Sequence, residues 1–170
     1  NVHVKNPDYV MTSDSLQYNS RTKIIYFRAP TTVVDSDSST FVYNDGVYDT
    51  KTRRSDLKLG VAESTEYTLE GEDFQLDDIR QIYKLRNSVK LISKKENLII
   101  YGQAADYYKA QGIIKVFNQA YLAKIDADYD TLFMSADTLV SIDNKDPKKL
   151  GRVKVKIPVL HAEQVLDEVV

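Results

Sequence analysis

The sequence predicts an all-β protein assembled from about six tandem copies of one unit of roughly 30 residues, its antiparallel strands stacked in a solenoid-like array. Three observations carry that prediction. Apolar side chains alternate with period two through most of the 170 residues, Tyr, Val, Ile and Thr are abundant, and Asn, Asp, Gly and Pro cluster at the joins. Unit starts fall at positions 1, 29, 60, 87, 118 and 151, separated by 28, 31, 27, 31 and 33 residues. So steady a period is the mark of stacked repeats.

Each unit opens on a small or turn residue with an alternating strand and runs into a second strand that ends in a small-acidic-x-apolar signature. The first copy reads Asn1-Val-His-Val4, then Tyr9-Val-Met-Thr-Ser-Asp-Ser-Leu16. In the second, Ala29-Pro-Thr-Thr-Val-Val34 leads to Thr40-Phe-Val-Tyr43. Gly60 opens a weaker third copy, which ends at Gly71-Glu-Asp-Phe74, and the segment from Lys51 to Glu70 reads as an insertion. Asn87-Ser-Val-Lys-Leu-Ile92 leads to Asn97 and on to Ala105-Asp106, and Asn118-Gln-Ala-Tyr-Leu122 leads to Ala136-Asp137. Gly151 to Val165 forms the last copy. A third apolar stretch precedes several starts, at 23–27, 81–85 and 112–117, and is also read as strand.

Three segments have a composition that suits a short helix: 73–85, 104–111 and 161–169. Repeat alignment argues against the second, because Ala104-Ala-Asp-Tyr107 falls opposite Ser135-Ala-Asp-Thr138, where no helical period exists. It argues against the third as well, although a helical tail stays open because nothing follows it to pair with.

A chain of this length holds one continuous core, so residues 1–170 are expected to form a single domain. Apolar residues at 42% and charged residues at 28% describe a globular chain. The formal net charge of -2, with Lys and Arg interleaved among Asp and Glu, leaves no basic field for phosphate backbones, so nucleic acid is not an expected partner. Without Cys there is no thiol chemistry. No apolar run approaches the ~18–20 residues of a spanning helix, and no leader opens the chain, so any export signal is expected to lie outside it. Opening at a strand onset and ending inside a unit, the chain is expected to be a fragment of a longer array or to pair end to end through its open sheet edges.

Catalytic patterns are missing. The two histidines, His3 and His161, stand at opposite ends of the sequence without ligand neighbours. No G-x-S-x-G elbow, P-loop or Rossmann glycine pattern occurs. Acidic clusters at 35–39, 70–78 and 126–130 lack EF-hand spacing and are explained by turns, in which Asp, Asn and Ser side chains bond their own backbone. The repeated acid at Asp14, Asp73, Asp106 and Asp137, with Glu163 as variant, is what a stacked array produces for a turn or an inter-rung hydrogen bond. No enzyme, no metal and no cofactor are expected.

The N-x-V and N-x-A-x-L openings at Asn87 and Asn118, followed by x-A-D-x-apolar at Ala105-Asp106 and Ala136-Asp137, resemble the OstA/LptA-like family of lipopolysaccharide-transport proteins. The resemblance covers nearly the whole chain, and its specific part is the ordered recurrence of short motifs. It departs at Ala29-Pro30, where the family has Gly-Asn, and in the third copy. The resemblance implies a twisted, partly open β-jellyroll with an apolar groove. It further implies a periplasmic location, the acyl chains of lipid A of lipopolysaccharide as ligand, and end-to-end strand pairing with a second copy or with other transport components.

Counting back in twos from the small residue of each signature proposes the groove lining. That count gives Tyr9, Met11, Ile99, Tyr101, Leu132 and Met134. Opening strands add Val2, Val4, Val89, Leu91 and Leu122; closing strands add Ile25, Phe27, Tyr83, Leu85, Ile114 and Val116. The function expected is that of a non-enzymatic lipid-binding scaffold of lipopolysaccharide export, shielding acyl chains between inner and outer membrane. The alternative is a structural or adhesive β-repeat domain with a closed core, binding protein or glycan. An accessible apolar groove favours the first and a filled interior the second.

Overall fold

The computed structural model describes residues 2–5, 7, 9–36, 38–125 and 131–142, and the backbone of 154–156. Alternation becomes strand throughout. β1 (Val2–Lys5), β2 (Tyr9–Ser13), β3 (Leu16–Asn19), β4 (Ile24–Phe27), β5 (Thr31–Asp35), β6 (Thr40–Tyr43) and β7 (Asp45–Asp49) are short. β8 (Arg54–Glu63), β9 (Tyr67–Asp77), β10 (Ile82–Ser93), β11 (Leu98–Tyr108), β12 (Ile113–Ile125) and β13 (Thr131–Ile142) are long, and β14 (Lys154–Lys156) pairs with the end of β13. Among the described residues all these strands form one antiparallel sheet.

The short strands are halves of long ones. β2 and β3 pair with β5 and β4, which pair in turn with β6 and β7, and both of these pair with the single strand β8. The chain is therefore a meander whose crossing strands all bend at mid-length. The bends fall at 14–15, 28–30 and 44 where strands are interrupted, and at left-handed residues inside the continuous ones: Leu59 (φ 49), Asn87 and Ser88 (φ 61 and 52), Asn118 and Gln119 (φ 59 and 60). Between Arg86 and Val89 the partner strand advances from Ala104 to Gly102 only, and between Phe117 and Ala120 it advances from Thr138 to Ala136 only. One extra residue on one strand is a β-bulge, which bends and twists the sheet locally. Asn tolerates the left-handed backbone better than most residues, which suits Asn87 and Asn118 to these seats.

The described unit starts, 29, 60, 87 and 118, lie on this crease and not at strand onsets. Asp14, Asp73, Asp106 and Asp137 lie on or beside it on the alternate strands. The repeat is thus a pair of antiparallel strands, and what the period marks is the line along which the sheet folds. Folding on that line gives two facing arms, the twisted, partly open jellyroll that the motifs implied.

Two apolar ladders line the inner faces. Cross-strand neighbours point to the same side of a sheet, so register alone connects Val4, Met11, Val33, Phe41, Ala62, Leu69, Leu91, Ile100, Leu122 and Met134 across the first arm. On the second arm the row is Leu16, Phe27, Gly46, Leu57, Phe74, Leu85, Ala105, Val116 and Leu139. Both rows meet in one core cluster. Full burial of each Leu, Ile, Val or Phe contributes about 1.5–3 kcal/mol. Polar groups near the crease are paired: Thr31 Oγ1 donates to Ser13 Oγ (2.9 Å), and Ser13 Oγ to the Ser15 carbonyl (3.1 Å).

Several expectations change. The segment 51–70 is no insertion, since it supplies a turn, all of β8 and the start of β9 in regular register; its two buried core leucines, Leu57 and Leu69, stand far apart among charged residues, which hid the pattern. Residues 73–85 form strand, turn and strand, and 104–111 form the end of β11 and a short 3-10 turn, Lys109–Gln111. His3 is exposed on β1. The acidic run 126–130, most of the last copy, His161, Glu163 and the segment 161–169 lie outside the described residues.

Candidate functional site: an apolar groove between the arms

Toward the N-terminal strands the two arms leave space between them. A cleft of about 240 Å³ is walled by Met11, Val33 and Phe41 from the first arm and by Phe27, Tyr48 and Leu76 from the second. A neighbouring cleft of about 110 Å³ lies between Tyr67 and Leu69 on one side and Phe74, Leu85 and Ile114 on the other. Inner-face positions here carry small side chains that leave this space: Ser55 stands between Tyr48 and Leu76, and Ala62 between Phe41 and Leu69. Farther along, Leu91, Ile100, Val116 and Leu139 are each at most 2% exposed, and the interior is filled.

The proposed lining residues divide accordingly. Tyr9, Met11, Ile25 and Phe27 line the larger cleft, and Ile114 lines the smaller. Val89, Leu91, Val116 and Leu122 face inward and are packed into the core. Leu132 and Met134 belong to the inner face of β13, but the strand has no second neighbour there among the described residues, and both are open to solvent. Ile99 and Tyr101 are corrections, because both lie on the outer face. Ile99 pairs with Ile92 and Ala123, Tyr101 stacks on Tyr121 at 4.7 Å, and the inward residues of β11 are Leu98 and Ile100. Counting in twos from Ala105 crosses the crease, where Ala104 and Ala105 are consecutively buried and the alternation changes phase. Phe41, Tyr43, Tyr48, Leu69 and Leu76 are groove residues that the count missed. The alternations Tyr67-x-Leu69, within the segment that reads as an insertion, and Phe74-x-Leu76, beyond it, signal two of these residues.

The groove's rim is polar. Asp35 ends β5, Asp78 lies in the turn after β9, and Lys109 lies in the turn after β11. Burial pushes the Asp78 carboxyl up, against the opposing pull of Arg53 and Lys109. The Tyr83 hydroxyl is pushed up to about 12, first by burial and then by Asp78, Tyr107 and Asp35. Burial, with Tyr9 adding to it, also raises Tyr43. These phenols are neutral hydroxyls at ordinary pH. Among the described residues no three His, Asp or Glu side chains converge as metal ligands would. Elsewhere carboxylates serve turns: Asp49 accepts from the backbone N–H of Lys51 and Thr52, and Asp77 from that of Arg80, which holds both below the usual carboxylate range. At the crease Asp73 pairs with Lys58 and accepts from Asn87, and Asp106 accepts from Arg86 at 2.8 Å, so at these two positions the recurring acid is an inter-strand partner.

Fold and site together define a creased antiparallel β-scaffold with an apolar groove between its arms. Residues 1–72 match the family model described as OstA-like protein, the family that the motifs resemble. The match falls on the first 72 residues, whereas the clearest motifs stand at 87–139. No curated protein matches significantly. Among solved structures, the chain is similar to LptH of Pseudomonas aeruginosa, described as the LptA homologous periplasmic component of the conserved lipopolysaccharide transport device. That similarity has 10% identity and a TM-score of 0.31, over 91% of this chain and 85% of that one; values this low add nothing to the argument.

Proposed function

We propose that the protein is a non-enzymatic lipid-binding scaffold of lipopolysaccharide export, working in the periplasm and shielding lipid A acyl chains in the groove between its arms. The observation that carries this reading is the apolar cleft lined by Met11, Phe27, Val33 and Phe41, in a chain whose first 72 residues are OstA-like. Moving chain methylenes from water into such a cleft is worth about 0.8 kcal/mol each. The edge of β13 from Thr131 to Ala136, with Phe133 70% exposed, supports end-to-end strand pairing as the mode of assembly.

The filled interior around Leu91, Ile100 and Leu139 favours the closed-core alternative for that part of the sheet, so lipid contact is assigned to the two clefts alone. A photo-crosslinking residue at Phe41, on the inner face, is expected to label purified lipopolysaccharide, and one at Val42, its outward neighbour, is not. Absence of label at Phe41 in a protein that retains its β circular dichroism would replace this reading with the closed-core one.

A further inference from the structure

The two clefts share one wall. Asp35, Phe41, Leu76, Tyr83 and Lys109 border both. Phe41 comes from the inner row of the first arm, between Val33 and Ala62, whereas Leu76 and Tyr83 are paired neighbours on the inner face of the second. The wall is therefore built from both arms, closing one continuous groove at a single place. Tyr83 is held there from two sides. Its ring meets that of Tyr107 edge to face at 5.9 Å, and the Lys109 ammonium lies 6.0 Å from its centroid. Packing of this kind keeps an aromatic ring in one rotamer.

We propose that Phe41 and Tyr83 form a septum that divides the groove into two chambers and limits the length of chain that each can hold. This deepens, and rests on, the lipid-binding reading. A chain that enters the larger chamber lies over Met11 and Phe27 and stops against the septum; the smaller chamber, over Tyr67 and Leu69, accepts a separate and shorter chain. The groove then selects for chain length, and further methylenes stay in water. Removing either ring merges the chambers.

The test uses saturated fatty acids from octanoate to stearate, titrated by calorimetry against the whole chain and its Tyr83→Ala variant, with folding checked by circular dichroism. Each added CH₂ within reach of a chamber tightens binding about fourfold. For the unaltered protein this gain is expected to stop before stearate, and for Tyr83→Ala it is expected to continue to longer chains. Tyr83→Phe, which keeps the ring, is expected to keep the original limit. Phe41→Ala, removing the septum from the opposite arm, repeats the test should Tyr83→Ala fail to fold. Binding with the same length dependence in the original and in the ring-deleted variants overturns the septum while leaving the groove in place. A limit that moves in Tyr83→Phe also overturns it. Folded protein that binds no fatty acid of any length removes the lipid-binding reading, and the septum with it.

Discussion

Gly60 on β8 and the ring of Phe74 on β9 meet at the crease, where a Cβ built on Gly60 would lie 2.9 Å from two carbons of that ring. Gly60 pairs with Gly71, so two facing glycines leave the room that Phe74 fills, and Phe74 is 4% exposed. Its ring, packed in the core, cannot swing away without displacing neighbours. Gly60→Ala is therefore expected to cost about 1–3 kcal/mol through overpacking, measured as a lowered urea midpoint at unchanged slope. An unchanged midpoint would mean that the crease has slack the distances do not suggest.

The facing of β11 is tested by neighbouring isoleucines. Ile100, in the inner row between Leu91 and Leu122, is expected to lose about 2–5 kcal/mol on change to Ala. Ile99, half-buried on the outer face, is expected to lose about 1 kcal/mol or less. Equal losses in urea unfolding would contradict the phase change across the crease.

Asp78 predicts a pH dependence with a definite sign. Its carboxyl is raised above the ordinary aspartate value, chiefly by burial, so the folded state binds that proton more tightly than the unfolded chain does. Stability from this group falls as pH rises from the unfolded value through the folded one. Asp78→Asn is expected to raise the thermal midpoint at about pH 7, and the difference between variant and parent is expected to vanish below the unfolded value. Asp49 and Asp77, both lowered, act in the opposite direction, losing stability as pH falls through their folded values. The difference between variant and parent isolates Asp78 from that background. A midpoint that Asp78→Asn leaves unchanged at neutral pH would mean that Arg53 and Lys109 offset the burial in full.

A row of turns repeats one backbone device. Lys23, Arg53, Gln81 and Asn97 take left-handed φ of 66, 54, 53 and 50 where the chain enters its next strand, and Gly112 takes 62 at the equivalent place. Only glycine holds that conformation without steric cost. Gly112→Ala is expected to destabilise by about 1 kcal/mol, whereas Gln81→Gly is expected to leave stability level or raise it, both measured by thermal unfolding. The reverse order would place the strain elsewhere in the turn.

Much of the architecture was legible because its causes are local. Period-two alternation, the Asx-capped turns and the recurrence at 29, 60, 87 and 118 depend on residues near one another in sequence, and they determined the all-β class, the strand pairs and most inward positions: Met11, Phe27, Leu91, Val116 and Leu122 all face the interior. Tertiary structure decided what those markers meant. Asn87 and Asn118 read as strand openings, but they are bends within continuous strands, since whether a left-handed pair ends a strand or creases it depends on the partner strand continuing past it. The facing of Ile99 and Tyr101 was lost for the same reason, because a change of phase at the crease is set by pairing across strands and leaves no trace in the alternation of a single one. The groove itself was beyond the sequence. Ser55 and Ala62 stand toward opposite ends of one strand, one in each arm, and only when the arms fold over one another do such small side chains leave a space.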